Sequence, residues 1–292
     1  MNLFGLLRFI TSHPLNRDAP LKAVGRFVRW QLASRLISAP VALPFVDDTR
    51  LLVERGMTGA TGNWYSGLHE PDDMAFVLHA LRPDDLFVDI GANVGSYTVL
   101  AAGVVGAHAI SVEPLPATHA RLQANVRLNG IEGLVETVCA GLSDAPGEIR
   151  FTSGLDTMNR VALPGENLPS VTVPVTTLDL LCGTRRPAVI KIDVEGHEMP
   201  VLGGGATVFA SSDVQAVLME TNGSGERYGS SDDAIIARMR EYGFTPCRYD
   251  WKSRAIEPAE RGGQNTIFIR DVGAIQAKCR AAPARKLVNG SV

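Results

Sequence analysis

In the segment KIDVEGHE (191–198) an apolar run ends at Asp193, and Asp193, Glu195, His197 and Glu198 crowd the turn that follows. Carboxylates and an imidazole set this closely are the groups that take up and release protons during a reaction. Lys191, inside the apolar run, needs one of the nearby acids as an ion-pair partner. Asp193, Glu195 and His197 are the catalytic candidates. The alternative is a solvated capping loop, and for His197 a plain salt bridge. METNGSGERYG (219–229) adds Glu220 and Asn222 at the end of another apolar run. With Asp193 they are oxygen donors of the kind that hold Mg²⁺. Three such groups form ordinary hydrogen-bond networks equally well, so a bound metal is not the favoured expectation, and Glu220 and Asn222 are assigned to the substrate side. His69 and Glu70, in GNWYSGLHEPDDM (62–74), form a further substrate-side pair. Their segment suits either a lid or a surface loop entering a helix.

A second pattern is built to hold a ligand rather than transform it. FVDIGANVGSYTVLAAG (87–103) is an apolar run ending at Asp89, then a loop carrying Gly91, Asn93 and Gly95, then a helix-like stretch. Ligands of open α/β sheets sit at the carboxyl ends of the strands, and glycines there allow close approach to the backbone. The loop reads G-x-N-x-G rather than the dinucleotide pattern G-x-G-x-x-G. It departs from a nicotinamide site and fits S-adenosyl-L-methionine, which has no pyrophosphate to cradle. Glu113 follows Gly91 by 22 residues, the spacing at which an acid accepts hydrogen bonds from ribose hydroxyls; its alternative is a surface acid before a proline. Ser143 and Asp144 stand where side chains could meet an adenine, or form a plain turn.

These residues need elements to position them. Strand signals at 85–90, 107–114, 134–141, 188–196, 214–222, 244–250 and 265–270 alternate with helical stretches at 95–105, 117–129, 199–210 and 232–242. That rhythm predicts βαβ units and a largely parallel sheet covered on both faces. Runs at 147–154 and 170–181, joined by a loop at 163–169, read as an inserted hairpin. Three zones result: an N-terminal basic helical extension and lid segment (1–83), the α/β domain (84–271) and a tail (272–292) expected to fray. In the extension, 21–37 predicts a helix with Leu21, Val24, Val28, Leu32 and Leu36 on one apolar face. The first 40 residues carry Arg8, Arg17, Lys22, Arg26, Arg29 and Arg35 against Asp18. A helix packed on its own domain with a solvated basic face is expected, with peripheral contact to an anionic membrane as the other reading. Every cofactor motif follows Pro83, so residues up to Ile37 are expected to be dispensable for cofactor binding.

Composition excludes several classes. With 292 residues, 45% hydrophobic and 20% charged, the chain can bury a core and is not disordered. A net charge of −3, with no basic stripe interleaved with aromatics in the α/β zone, argues against nucleic acid as partner. Cys139, Cys182, Cys247 and Cys279 are spaced for neither a zinc site nor a disulfide framework. No apolar run has the length to span a bilayer, and Arg8 interrupts the apolar start, making it a poor signal peptide. A cytoplasmic protein is expected.

The combination of FVDIGANVGSYTVLA, EPLPATHARLQANVRLN, PAVIKIDVEGHEMPVLGG and VLMETNGSG resembles the FkbM family of S-adenosylmethionine-dependent methyltransferases over roughly 62–270. The resemblance implies a class I methyltransferase, Rossmann-like α/β fold with a mostly parallel seven-stranded sheet, its last strand antiparallel. It implies O-methylation of a hydroxyl on a small molecule or glycan. Asp89, Gly91, Asn93 and Gly95 would line the cofactor's amino acid end and Glu113 its ribose, while Asp193 and Glu195 would face the methyl and the acceptor. His197 falls at a position that the family pattern leaves loose. A nicotinamide-dependent oxidoreductase and a non-catalytic binding protein on the same fold are the rival readings.

Overall fold

The computed structural model describes residues 3–154, 158–163 and 165–292; position 164, within the loop expected at 163–169, lies outside them. Its centre is a sheet of eight strands: β1 (Leu86–Ile90), β2 (His108–Val112), β3 (Val135–Val138), β4 (Val189–Ile192), β5 (Ala216–Glu220), β6 (Thr245–Asp250), β7 (Ala255–Pro258) and β8 (Asn265–Ile269), in the order β7-β6-β8-β5-β4-β1-β2-β3. Strands β3, β2, β1, β4 and β5 are parallel, and β8 enters antiparallel between β5 and β6. The mostly parallel sheet and its antiparallel last strand are as expected. The eighth strand, β7, is an edge strand whose sequence AIEP carries only Ile256 as a buried residue. Edge strands are often short and polar, which is why periodicity misses it.

The central strands are buried on both faces, so their sequences are continuous apolar runs (VIKI in β4, LFVDI in β1) rather than alternating ones. One face packs on a cluster including Ile190, Val217, Phe209, Ile235 and Phe268. The other packs on a cluster that runs from Ile10 to Val292. That second core joins zones the sequence separates. Helices α1 (Leu3–Ser12), α2 (Pro20–Leu36), α3 (Thr58–Ser66) and α4 (Pro71–Ala80) contribute to it alongside α5 (Ser96–Thr98, continued by a π-helical stretch Val99–Val105) and α6 (Pro116–Leu128). A hairpin of Val41–Pro44 and Arg50–Val53 lies beside α6, where Asn125 Oδ1 and Asn129 Oδ1 accept the amides of Leu52 (2.7 Å) and Arg50 (2.8 Å).

The tail is docked rather than frayed. Helix Val272–Ala281 covers α4, Val46 bridges to Leu287, and the Asn289 side-chain amide donates to the carbonyls of Leu15 (2.9 Å) and Ser66 (2.8 Å). The extension is likewise part of the domain, and its helix turns opposite to expectation. Ala23, Arg26, Phe27 and Trp30 form the buried face of α2, while Leu21, Val28, Leu32 and Leu36 are exposed. The physical reason is Arg26. Its guanidinium donates to the Tyr65 carbonyl at 2.6 Å and to Asn16 Oδ1 at 2.9 Å, so a buried charge sits at the centre of the packing face with its hydrogen bonds satisfied. Among the described residues no helix is long and apolar enough to cross a membrane.

Candidate functional site

At the carboxyl ends of β1, β2, β4 and β5 lies a cleft of about 260 Å³. It opens where adjacent parallel strands feed loops to opposite sides, the usual ligand position in such sheets. Gly91, Asn93, Glu113, Asp193, Glu195, His197, Glu220, His69 and Glu70 all line it, so the structure brings together most of the residues singled out from the sequence.

The glycine loop is shaped by the protein itself. Gly91 has φ +74°, and a Cβ there would lie 1.8 Å from the carbonyl oxygen of Asp193. The glycine is required because the loops after β1 and β4 touch. Asn93 takes the left-handed conformation, φ 50°, and its amide donates to Glu113 Oε2 at 3.1 Å. Glu113 Oε1 accepts the amide of Leu115 at 3.0 Å. Burial pushes the Glu113 carboxyl up to about 7, against the pull of those two amides. Glu113 thus ties the two loops together and still presents carboxylate lone pairs to the cleft.

Two residues expected on the cofactor are not in the cleft lining. Asp89 is fully buried below the loop, with Oδ2 accepting the Thr98 hydroxyl at 2.7 Å and Oδ1 3.9 Å from Lys191 Nζ. Gly95 does not reach the cleft; it opens α5 in the left-handed conformation. Ser143 and Asp144 also stand outside the lining. The Ser143 hydroxyl turns to His197 Nε2 (3.1 Å) and Asp144 is exposed, so that wall is made instead by Ala140, Gly141 and Leu142.

The acid cluster is tighter than its spacing suggests. One carboxylate oxygen from each of Asp193, Glu195 and Glu220 lies within 4.8 Å of the others. Asn222, named with Asp193 and Glu220 as a possible cation set, is hydrogen-bonded to one member of this trio. It is exposed, its amide donates to Glu220 Oε1 at 2.6 Å, and its carbonyl oxygen accepts the Ser224 amide at 2.9 Å. Glu195 joins Asp193 and Glu220, held at φ 54°, a left-handed conformation costly for a residue with a Cβ. Lys191, 4% exposed, neutralises part of the cluster through Asp193 Oδ2 at 3.0 Å. Burial alone would lower the lysine, but Asp193 and Asp89 raise it overall. Burial and the neighbouring Asp193 charge lift Glu195 to about 7, and burial, Asp193 and Glu195 raise Glu220. Burial lowers His197, and its Nδ1 is buried without a hydrogen-bond partner.

The segment carrying His69 and Glu70 is packed as a wall of the cleft. Asn63, on α3, accepts the His69 amide at 2.8 Å and donates to Ser96 Oγ at 3.2 Å. Glu70 Oε2 accepts the Tyr97 hydroxyl at 2.7 Å, and Lys191 Nζ stands 5.0 Å from the Tyr97 ring centroid. Asn265 donates to Asp73 Oδ2 at 2.8 Å and reaches Glu70 Oε1 at 3.4 Å. Tyr97, Asp73 and Asn265 were not expected at the site. Tyr97 follows the glycine loop closely enough to have been found; Asn265 joins Glu70 only through the antiparallel entry of β8. The insertion forms the remaining wall, with Ile149, Phe151, Val161 and Val175.

The family described as "Methyltransferase FkbM domain" matches residues 89–246, the segment that carries the glycine loop, Glu113 and the acid trio. A hexuronic acid methyltransferase, AglP, of Haloferax volcanii is 31% identical over 157 residues, covering 52% of this chain and 62% of that protein. Methyltransferase 1 of Beauveria bassiana is 30% identical over 147 residues, covering 42% of this chain and 59% of that protein. The chain therefore spans about three fifths of the length of these curated relatives. The crystal structure of an FkbM methyltransferase from Methylobacillus flagellatus KT aligns over 84% of this chain and 60% of that one, with 14% identity and a TM-score of 0.46. With more than half of its length matched by the family's own domain, glycine loop and acid trio included, this chain belongs to the FkbM methyltransferases.

Proposed function

We propose that the chain transfers a methyl group from S-adenosyl-L-methionine to an oxygen of a small molecule or glycan. One observation carries this: a single cleft joins the Gly91–Asn93 loop and the Glu113 carboxylate to the Asp193, Glu195 and Glu220 cluster. The residues fit the cofactor. Glu113 is a buried carboxylate with lone pairs toward the cleft, suited to ribose hydroxyls, and the absence of a Cβ at Gly91 keeps the loop against the floor. The chemistry supplied on binding is an electrophilic methyl on a sulfonium. The family membership and the G-x-N-x-G spacing favour this over a nicotinamide reaction.

The chain's own part is alignment and proton removal. Asp193 is held in place by its ion pair with Lys191, Nζ to Oδ2 at 3.0 Å. Glu195, lifted to about 7 by burial and by Asp193, is matched to accept an acceptor hydroxyl proton near neutral pH. We therefore assign Glu195 as general base, with Asp193 orienting the acceptor and His197 bordering the same space. The three carboxylates also have the donor chemistry for a divalent cation; the metal-free reading is preferred because Lys191 already supplies positive charge there. Glycan hydroxyls, including those of uronic acid sugars, are the proposed acceptor class, supported by the relative from Haloferax volcanii. Four free thiols, Cys139, Cys182, Cys247 and Cys279, support a reducing cytoplasmic setting.

Incubation with methyl-labelled S-adenosyl-L-methionine and a panel of neutral and uronic acid saccharides tests the reading. Label is expected on an acceptor oxygen, undiminished by a chelator. Cofactor binding with no transfer to any acceptor would favour a non-catalytic protein.

A further inference from the structure

The outward face of α2 is apolar along its length. Leu21, Val28, Leu32 and Leu36 are 84%, 47%, 61% and 85% exposed, and Phe4 of α1 is 78% exposed. Successive helical residues stand about 100° apart, so the four α2 residues fall within about 80° of arc. The same construction places Lys22 and Arg29 along one border of this stripe and Arg35 along the other, all three exposed. Helix α2 contains no acidic residue. A soluble surface gains nothing from a line of exposed leucines, and scattered apolar residues would not fall on one arc.

We propose that this face of α2 is a docking surface for an anionic membrane, with the leucines entering the headgroup boundary and Lys22, Arg29 and Arg35 meeting lipid phosphates. Charge complementarity selects the occupant. An apolar stripe with cationic borders on both sides is the arrangement of a helix lying in an interface plane, and each basic residue adds attraction to an anionic leaflet. A second copy of the chain fits poorly, since a two-fold contact would set the same cations against one another. The inner face of α2 is already used, by Phe27, Trp30 and the Arg26 bonds to Tyr65, so the helix docks without leaving its domain. Helix α3, against which α2 packs, carries Asn63 and Ala60 of the cleft wall. Membrane attachment would therefore hold the cleft near the lipid surface.

Flotation of the full chain with vesicles tests this, using equimolar phosphatidylglycerol and phosphatidylcholine against phosphatidylcholine alone. Wild type is expected to float with the anionic vesicles, less as salt rises. The double variants L21D/L32D and K22E/R29E are expected to bind on the order of tenfold more weakly or less. All these positions are exposed, so both variants should melt as wild type does. Wild type that fails to bind anionic vesicles, or folded variants that bind undiminished, would overturn the proposal. So would a concentration-dependent dimer that L21D/L32D makes monomeric, because the stripe would then be covered by a second copy.

Discussion

The carbonyl oxygen of Asp193 occupies the space where a side chain on Gly91 would begin, 1.8 Å from the position of a Cβ. The ligand loop after β1 and the acidic loop after β4 are therefore one packed unit. Gly91→Ala is expected to lower stability by on the order of 3 kcal/mol, from a backbone clash and a left-handed conformation that alanine resists. Denaturant unfolding measures it. A variant as stable as wild type would show that the loops can part freely.

Glu113 gives a pH signature. Burial raises its carboxyl from 4.5 to about 7, with Asp89 and Asp193 adding to the rise. Between those values the folded chain holds a proton that the unfolded chain has released, so stability is fullest below 4.5 and is lost as pH rises through about 7. Glu113→Gln removes this titration. Wild type is expected to lose on the order of 3 kcal/mol relative to the variant across that window. Comparison with the variant cancels opposing groups such as His79, whose burial lowers it to about 4. Parallel stability profiles for the two proteins would contradict the assignment.

Glu195→Gln preserves shape but cannot accept a proton. Turnover is expected to fall by about 10²–10⁴-fold with cofactor affinity nearly unchanged. Steady-state kinetics together with a binding titration separate the two. Full turnover in the variant would remove Glu195 as base and return the role to Asp193.

Removal of residues up to Ile37 is expected to damage the whole domain. Phe27 and Trp30 leave a shared core, each side chain worth about 1.5–3 kcal/mol of burial. The Tyr65 carbonyl loses the Arg26 guanidinium, and the Asn289 amide loses its acceptors on Leu15 and Asn16. Expression and thermal unfolding of the truncated chain check this; a soluble product melting as the full chain does would restore the view of a separable extension.

What was legible in the sequence was local. The G-x-N-x-G loop, Glu113 and the 191–198 cluster each lie within or beside one strand end, and parallel topology gathers strand ends on one side. What was not legible depends on distant partners. Glu70 meets Tyr97 and Asn265 across the cleft wall, and nothing near any of the three in sequence announces the others. Helix α2 defeated hydrophobic counting because its buried face contains Arg26, whereas its leucines face outward. Asp89 and Gly95 belong to the motif, yet neither lines the cleft, and spacing cannot distinguish a supporting position from a contacting one.

Calorimetric titration of the wild-type and Glu113→Ala chains with S-adenosyl-L-methionine tests the central claim most directly. Saturable one-to-one binding is expected for wild type. Binding is expected to weaken by about 10- to 100-fold in the variant, from the loss of a charged acceptor worth about 1.5–3 kcal/mol per hydrogen bond. A folded wild-type chain that shows no saturable binding, or a folded Glu113→Ala chain that binds as tightly as wild type, would contradict the account.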